Sequence, residues 1–248
     1  KGFQVLGWRE PASLSGNARP ESQSSHAHTG FNLKKENRMI VVIGSANLDF
    51  VTQAPTIPRP GETVMGRDLA MFPGGKGANQ AVACAKAGGA ETCFIGALGD
   101  DAFAQTLHGA LQAAGVMDHS IECPSTPTGA AFICVSDAGE NAITVAPGAN
   151  HSLTPERATT ALRSLLASGR CRYLLLQAEI PMATNVAVAQ MAREAGIRVA
   201  FNAAPASHLP SALLECIDVL IVNALELESI AQTLGIAAKD VEAQVQAL

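Results

Sequence analysis

The sequence predicts an α/β protein, a parallel β-sheet covered by helices on both faces. Three observations carry that prediction. Short β-rich apolar runs alternate with helical patterns from Met39 onward. The helical patterns begin and end on recognisable cap residues. The interior must be built from aliphatic side chains, since 48% of the residues are apolar and only 4% aromatic, as suits helices packed on a parallel sheet. At 248 residues the chain can bury roughly 70–75% of its unfolded surface, enough for a large core.

Residues 1–38 are rich in Ser, Asn, His, Gly and charge and show neither the strand nor the helix period. They are expected to be a disordered or artefactual N-terminal extension, because Met39 could serve as initiator. A transit peptide is disfavoured by Glu10, Glu21 and Glu36. The domain proper then covers 39–248. Its apolar runs lie at 39–44, 92–98, 172–177, 198–202 and 218–222. Between them Phe103, Leu107 and Leu111 recur every four residues up to Gly115. Thr154 and Pro155 supply N-cap and first-turn chemistry ahead of Leu162, Leu165 and Leu166. A third helix is expected over about 184–196. Strand–helix–strand repetition implies right-handed crossovers and a parallel sheet.

Two stretches break the rhythm. Residues 63–72 and 129–145 read as short strands, the second as a hairpin around Asp137-Ala138-Gly139-Glu140-Asn141. They predict either a small separate β-sheet able to act as a lid or an edge extension of the main sheet.

The net charge of −5 gives no electrostatic footprint for nucleic acid or an anionic membrane. No window reaches the roughly 18 apolar residues of a membrane span, and no secretory signal opens the chain, so a cytoplasmic location is expected. Six cysteines (Cys84, Cys93, Cys123, Cys134, Cys171 and Cys216) include no C-x-x-C pair, which excludes a metal-binding spacing and disfavours disulfides; they read as small buried hydrophobes.

In open parallel sheets ligands bind beyond the carboxyl ends of the strands. Asn47 and Asp49 follow the first run in GSANLD, Glu179 follows LLLQ, and Asn202 and Asn223 close the next two runs. Each by itself could cap a turn; their shared position points to a common crevice. The sharpest local signal is Gly74-Gly75-Lys76-Gly77-Ala78-Asn79, followed by the helical pattern AVACAKAG. Glycines let backbone approach a ligand, a helix start presents free N–H groups, and Lys76 and Asn79 add donors, although a Gly-rich turn with an exposed lysine would look the same. It is not a Walker A loop, because Ala70 replaces the first Gly and Gly77 the Ser/Thr.

The ordered set GSANLD (44–49), PGET (60–63), PGGKGANQA (73–81), IGALGDDAF (95–103), AEIP (178–181) and NALE (223–226) resembles the ribokinase family of PfkB-like sugar kinases, over nearly all of 39–248. The resemblance implies a Rossmann-like three-layer α/β/α sheet with a small β lid. It also implies transfer of the ATP γ-phosphate to the primary hydroxyl of a sugar, and GSANLD, GGKGAN and FNAAPA together point to D-ribose. Related substrates such as deoxyribose, fructose or adenosine, or a non-catalytic sugar-binding module, are the alternatives. By the same resemblance Asn47, Asp49, Gly75, Lys76, Asn79 and Glu179 would hold the sugar. Asn223 and Glu226 would act near the ATP phosphates and Mg2+. A monovalent cation, K+, would bind outside this chain, and the full enzyme would be a lid-mediated homodimer.

Two departures stand out. Ala203 replaces the usual Pro after Asn202. The family's Gly-Ala-Gly-Asp-like motif, whose Asp is the general base, is not found after Asn223, so the C-terminal part of the fold is expected to be missing, with no catalytic residue in this chain and no turnover from it alone. Gly96-Ala97-Leu98-Gly99-Asp100 resembles that motif but lies in the N-terminal half, and Asp100 is expected to be a helix-start residue.

Overall fold

The computed structural model describes residues 4–7, 38–206, 208–236 and 243–244. Its main sheet has seven strands among these residues, all parallel: β1 (Gln4–Gly7), β2 (Met39–Ile43), β5 (Glu91–Ile95), β7 (Met117–Asp118), β11 (Cys171–Gln177), β12 (Arg198–Asn202) and β13 (Val219–Val222), in the spatial order β1-β13-β12-β11-β2-β5-β7. From β2 the chain moves one way, through β5 to β7. It then returns to the other side of β2 and continues through β11, β12 and β13.

Side chains alternate across this sheet as the pleat requires. Met39, Val41 and Ile43 face a core shared with Leu174, Leu176, Val199, Phe201 and Leu220. That core is closed by α3 (Pro155–Leu166), α4 (Met182–Glu194), the short α5 (Ser211–Leu214) and α6 (Ala224–Thr233), through Leu162, Leu165, Val188, Leu213, Leu227 and Ile230. Val42 and Phe94 face the opposite core, closed by α1 (Lys76–Ala87) and α2 (Ala102–Ala113) through Ala78, Ala81, Leu107 and Leu111. The expected three layers are therefore present. Leu174, Leu176 and Phe201 are fully buried, and burying each contributes about 1.5–3 kcal/mol.

A second sheet is separate from the main one, which settles the two readings of the interrupting stretches. Its order is β10 (Asn141–Ala146), β9 (Gly129–Ser136), β3 (Asn47–Ala54), β4 (Leu69–Gly74). Two expectations change here. Strand β4 begins at Leu69 rather than near residue 63. The polar pair Asn47 and Asp49 opens strand β3 instead of occupying a loop, because β3 is held between β4 and β9 by eight residues of parallel register to β9. A two-stranded pairing of β6 (Ala97–Leu98) with β8 (Ile121–Glu122) completes the strands.

Most helix signals hold. Thr154 caps α3 with Pro155 in the first turn, and Gly115 takes φ 76° just after α2. The cap of α2 is Asp101, not Asp100: its carboxylate accepts from the Ala104 N–H at 2.9 Å, while Asp100 stays exposed one residue earlier. Helix α4 starts at Met182, two residues ahead of expectation. Four of the six cysteines are buried and two, Cys84 and Cys134, half-buried; all are free thiols, and burial pushes Cys93 and Cys171 up to about 11. The expectation of an unstructured 1–38 fails at Gln4–Gly7, where Gln-Val-Leu-Gly pairs with Val219–Val222. Four residues are too few to display a period, and the β13 edge supplies the hydrogen bonds that make them a strand. The remainder of 1–37 lies outside the described residues.

Candidate functional site

Strand order reverses between β2 and β11, the point beyond whose carboxyl ends a parallel sheet holds its ligand crevice. The link Gly44-Ser45-Ala46 leaves β2 into β3 on one side of it. The N-terminus of α1 packs directly on that link, backbone against backbone. The Ala78 N–H donates to the Ser45 carbonyl at 2.9 Å and the Gly77 N–H to Ser45 Oγ at 3.3 Å. A Cβ at Gly77 would stand 2.7 Å from the Gly44 carbonyl carbon and the Ser45 nitrogen. One at Gly75, which adopts φ 87°, would stand 2.7 Å from Ala46 Cα. The glycines of the GGKG segment are thus required by contact with GSA as well as by any ligand.

Gly75 cannot cap α1 with a side chain, and Glu179, just beyond β11, does so across the crevice. Its Oε2 accepts from the Lys76 N–H at 3.0 Å and from Ser45 Oγ at 2.5 Å, and its Oε1 lies 3.8 Å from Lys76 Nζ. A carboxylate at a helix N-terminus is favoured by the macrodipole. Asp49 projects from β3 beside Gly74, where a Cβ would come within 2.1 Å of Asp49 Oδ2. Partial burial, reinforced by the negative charge of Glu179, pushes the Asp49 carboxyl above its ordinary range. Asp49 makes no hydrogen bond or ion pair among the described residues, so its oxygens remain free for a ligand.

Asn47 is buried, and its Oδ1 accepts from Asn150 Nδ2 at 2.8 Å. Its register neighbours are Gly74 on β4 and Gly129 on β9, which leave room on both sides of the amide. Asn79 is exposed three residues along α1 from Lys76, on the same face. Asn47, Asp49, Gly75, Lys76 and Glu179 therefore converge on one crevice, with Asn79 beside it. Asn223 and Glu226 do not join them. They sit at the end of β13, three strand spacings or about 14 Å from β2. There they form a reciprocal capping box of α6: the Asn223 N–H donates to Glu226 Oε2 and the Glu226 N–H to Asn223 Oδ1, both at 2.8 Å.

Three buried polar residues escaped sequence reasoning. Asn150 holds the β2–β3 link. Gln177, fully buried at the end of β11, donates from Nε2 to Gln80 Oε1 on α1 at 2.7 Å. Asn185 on α4 donates from Nδ2 to the Gln177 carbonyl at 2.9 Å. For Gln177 and Asn185 the signal was an amide inside an otherwise apolar pattern, whereas Asn150 lies in the turn segment PGANHS, where an Asn is ordinary. Amides and carboxylates set around a crevice can read hydroxyl groups by directional hydrogen bonds, each buried group left unpaired costing about 1–3 kcal/mol. Among the described residues no three His, Cys, Asp or Glu side chains converge to hold a metal ion, and no helix is long and apolar enough to cross a membrane.

Comparison with known proteins identifies the family and the fold. The family described as pfkB family carbohydrate kinase matches residues 37–248. The chain is 36% identical over 197 residues to the ribokinase of Lactococcus lactis, covering 79% of this chain and 64% of that protein. It is 36% identical over 211 residues to the ribokinase of Haemophilus influenzae, covering 85% and 67% respectively. The structure of Arabidopsis thaliana ribokinase complexed with ribose and ATP superposes with a TM-score of 0.72 at 32% identity, over 85% of this chain and 67% of that one. The chain thus spans about two thirds of the length of the relatives it matches.

Proposed function

From the premise that this chain belongs to the pfkB family of carbohydrate kinases, we propose that it is the sugar-binding part of a cytoplasmic kinase that transfers the γ-phosphate of ATP to the primary hydroxyl of D-ribose. The observation that carries the reading is the crevice at the β2/β11 switch point, where Asn47, Asp49, Lys76 and Glu179 face one another across two sheets. Asp49 and Oε1 of Glu179, which faces Lys76 Nζ at 3.8 Å, accept from sugar hydroxyls. Asn47, Asn79 and Lys76 donate to them, and Gly75 lets the sugar approach the backbone. The similar Arabidopsis protein, solved with ribose and ATP, supports both ligands.

The nucleotide would lie along the carboxyl ends of β12 and β13, so that its phosphates reach Asn223 and Glu226. Only Oε2 of Glu226 is engaged in the capping box, and the donor set fits a magnesium ion held mainly by phosphates and water, as is usual for that ion. Magnesium would neutralise charge on the transferring phosphoryl group. Asp49 and Glu179 orient the acceptor, and the lid sheet excludes water. Potassium activation would depend on groups outside these residues, as would the general base. The 248 residues are therefore expected to bind sugar without turning it over.

The lid also supports a homodimer. Val51, Phe72, Ile133, Ile143 and Val145 share the face of the lid that carries Asp49, by alternation and register, and Phe72, Ile143 and Val145 are 53%, 55% and 48% exposed. An apolar patch of this kind marks an interaction surface.

The test is calorimetric titration of the chain with ribose, deoxyribose, fructose and adenosine, beside ADP release with ATP, magnesium and potassium. Preferential ribose binding abolished by Asp49→Ala is expected. Binding of none of the four sinks the sugar reading. Preference for another of the four moves the assignment to that substrate, and ADP release from this chain places the base within it.

A further inference from the structure

We infer that Asn150 is a positioning residue: it sets which way round the amide of Asn47 faces the crevice, so that Asn47 meets its ligand as a hydrogen-bond donor. The geometry of this inference is independent of the sugar reading; only its consequence for affinity rests on it.

Asn150 lies in the turn that follows β10, 103 residues from Asn47, and is 1% exposed. The backbone around it decides its orientation. The Ala46 N–H is a donor and points at Oδ1, at 2.9 Å. The Ala46 and Pro147 carbonyls are acceptors and lie 3.2 and 2.9 Å from Nδ2. Reversing the amide would set donor against donor on one side and two acceptors against an oxygen on the other. With Asn150 fixed, its Nδ2 must also face the Asn47 side chain, 2.8 Å away, and only the Asn47 oxygen can accept from it. The Asn47 NH2 group is therefore turned away from Asn150, and it has no partner among the described residues.

Gly129, the register neighbour of Asn47 on β9, makes this contact possible. A Cβ there would stand 2.3 Å from both Asn150 Nδ2 and Asn47 Oδ1, and 2.9 Å from the Pro147 carbonyl. The same amide thus ties together the entry to β3 and the exit from β10, two of the points at which the chain passes between the main sheet and the lid. The carboxylates Asp49 and Glu179 supply acceptors to the crevice, and a fixed Asn47 NH2 adds a donor in a defined direction. A ligand hydroxyl placed there is required to accept.

The experiment measures hydrogen exchange of the side-chain amides in 15N-labelled wild-type chain, then in Asn150→Asp and Gly129→Ala. In the wild type the Asn150 NH2 pair should exchange slowly and the Asn47 pair quickly. The carboxylate introduced by Asn150→Asp has no proton to donate, so the Asn47 amide should turn to donate to it, and its NH2 should become slow. Gly129→Ala keeps both amides but drives a methyl between them, which should speed exchange at Asn150. A slow Asn47 pair in the wild type overturns the inference without any variant having to fold. Ribose titration then reads the consequence. Each variant should weaken binding about tenfold or more, and either change added to Asn47→Ala should weaken it no further, because Asn150 acts through Asn47. Additive losses overturn the positioning role. A wild-type chain that binds no ribose overturns the sugar reading instead, and leaves the exchange result to decide the inference.

Discussion

Glycine-to-alanine changes in helix interiors usually stabilise, by about 1 kcal/mol, because alanine loses less backbone entropy on folding. The structure predicts opposite signs for two such changes. Gly109 lies exposed within α2, and a Cβ added there meets nothing within 4 Å, so Gly109→Ala should show the full gain. Gly77 lies in the first turn of α1, where the added Cβ would stand 2.7 Å from backbone atoms of Gly44 and Ser45. Neither is a flexible side-chain end that can swing aside, so the helix start must retreat by roughly 0.7 Å to reach the 3.4 Å of an ordinary contact. Overpacking of this kind costs about 1–3 kcal/mol. The retreat also lengthens the 3.0 Å bond from the Lys76 N–H to Glu179, a charge-assisted bond of about 1.5–3 kcal/mol. Set against the helix gain, Gly77→Ala should destabilise by roughly 2–4 kcal/mol. With a urea slope near 2–3 kcal/mol per molar, its unfolding midpoint should fall by about 1 M, while that of Gly109→Ala rises by about 0.3 M. Equal midpoint gains for the two variants would refute the argument that backbone contact with Gly44-Ser45 dictates glycine at 77.

Further outcomes follow from the same geometry. The Asp49 carboxyl is held above its ordinary 3.8 by burial and then by Glu179, so its contribution to stability is present at low pH and is lost as pH rises through the folded value. Asp49→Asn should therefore unfold at higher denaturant than wild type at pH 7, and the difference should vanish below about pH 3.8, measured by urea midpoints across pH. Asp101 behaves in the opposite sense. Against a desolvation effect that would raise it, hydrogen bonds from Thr128 and Ala104 hold it below the ordinary range. Asp101→Ala, which removes both a helix cap and the tie from Thr128 at the entry to β9, should cost roughly 1–3 kcal/mol at neutral pH, a loss that shrinks as pH falls. Leu174→Ala, in the fully buried centre of β11, should cost about 2–5 kcal/mol by thermal or urea unfolding.

How far the site was legible can be followed residue by residue. Lys76 and Asn79 were visible because a Gly-rich turn ahead of a helical pattern is a local signal, and the structure puts Lys76 at the first position of α1. Glu179 stood out as a charge just after an apolar run. Asn47 and Asp49 were found as candidates following the first strand, but their place in a second sheet was not, because a few residues after a strand there is no local sign that the chain has entered one. Asp100 and Asp101 were confused for a related reason: either could cap α2, and Thr128, 27 residues away in sequence, selects Asp101 by donating to it twice.

The sequence by itself determined the order of most strands and helices, the cap of α3, the bare N-terminus of α1 and the kinds of side chain available to a ligand. These depend on periodicity and on interactions within a few residues. The tertiary structure alone decided that β11 lies beside β2, that β3 belongs to the lid, and that Asn150 meets Asn47. Sheet order and lid pairing are fixed by contacts between residues far apart in the chain, and no local pattern records which distant strand, or which buried amide, will satisfy a given backbone group.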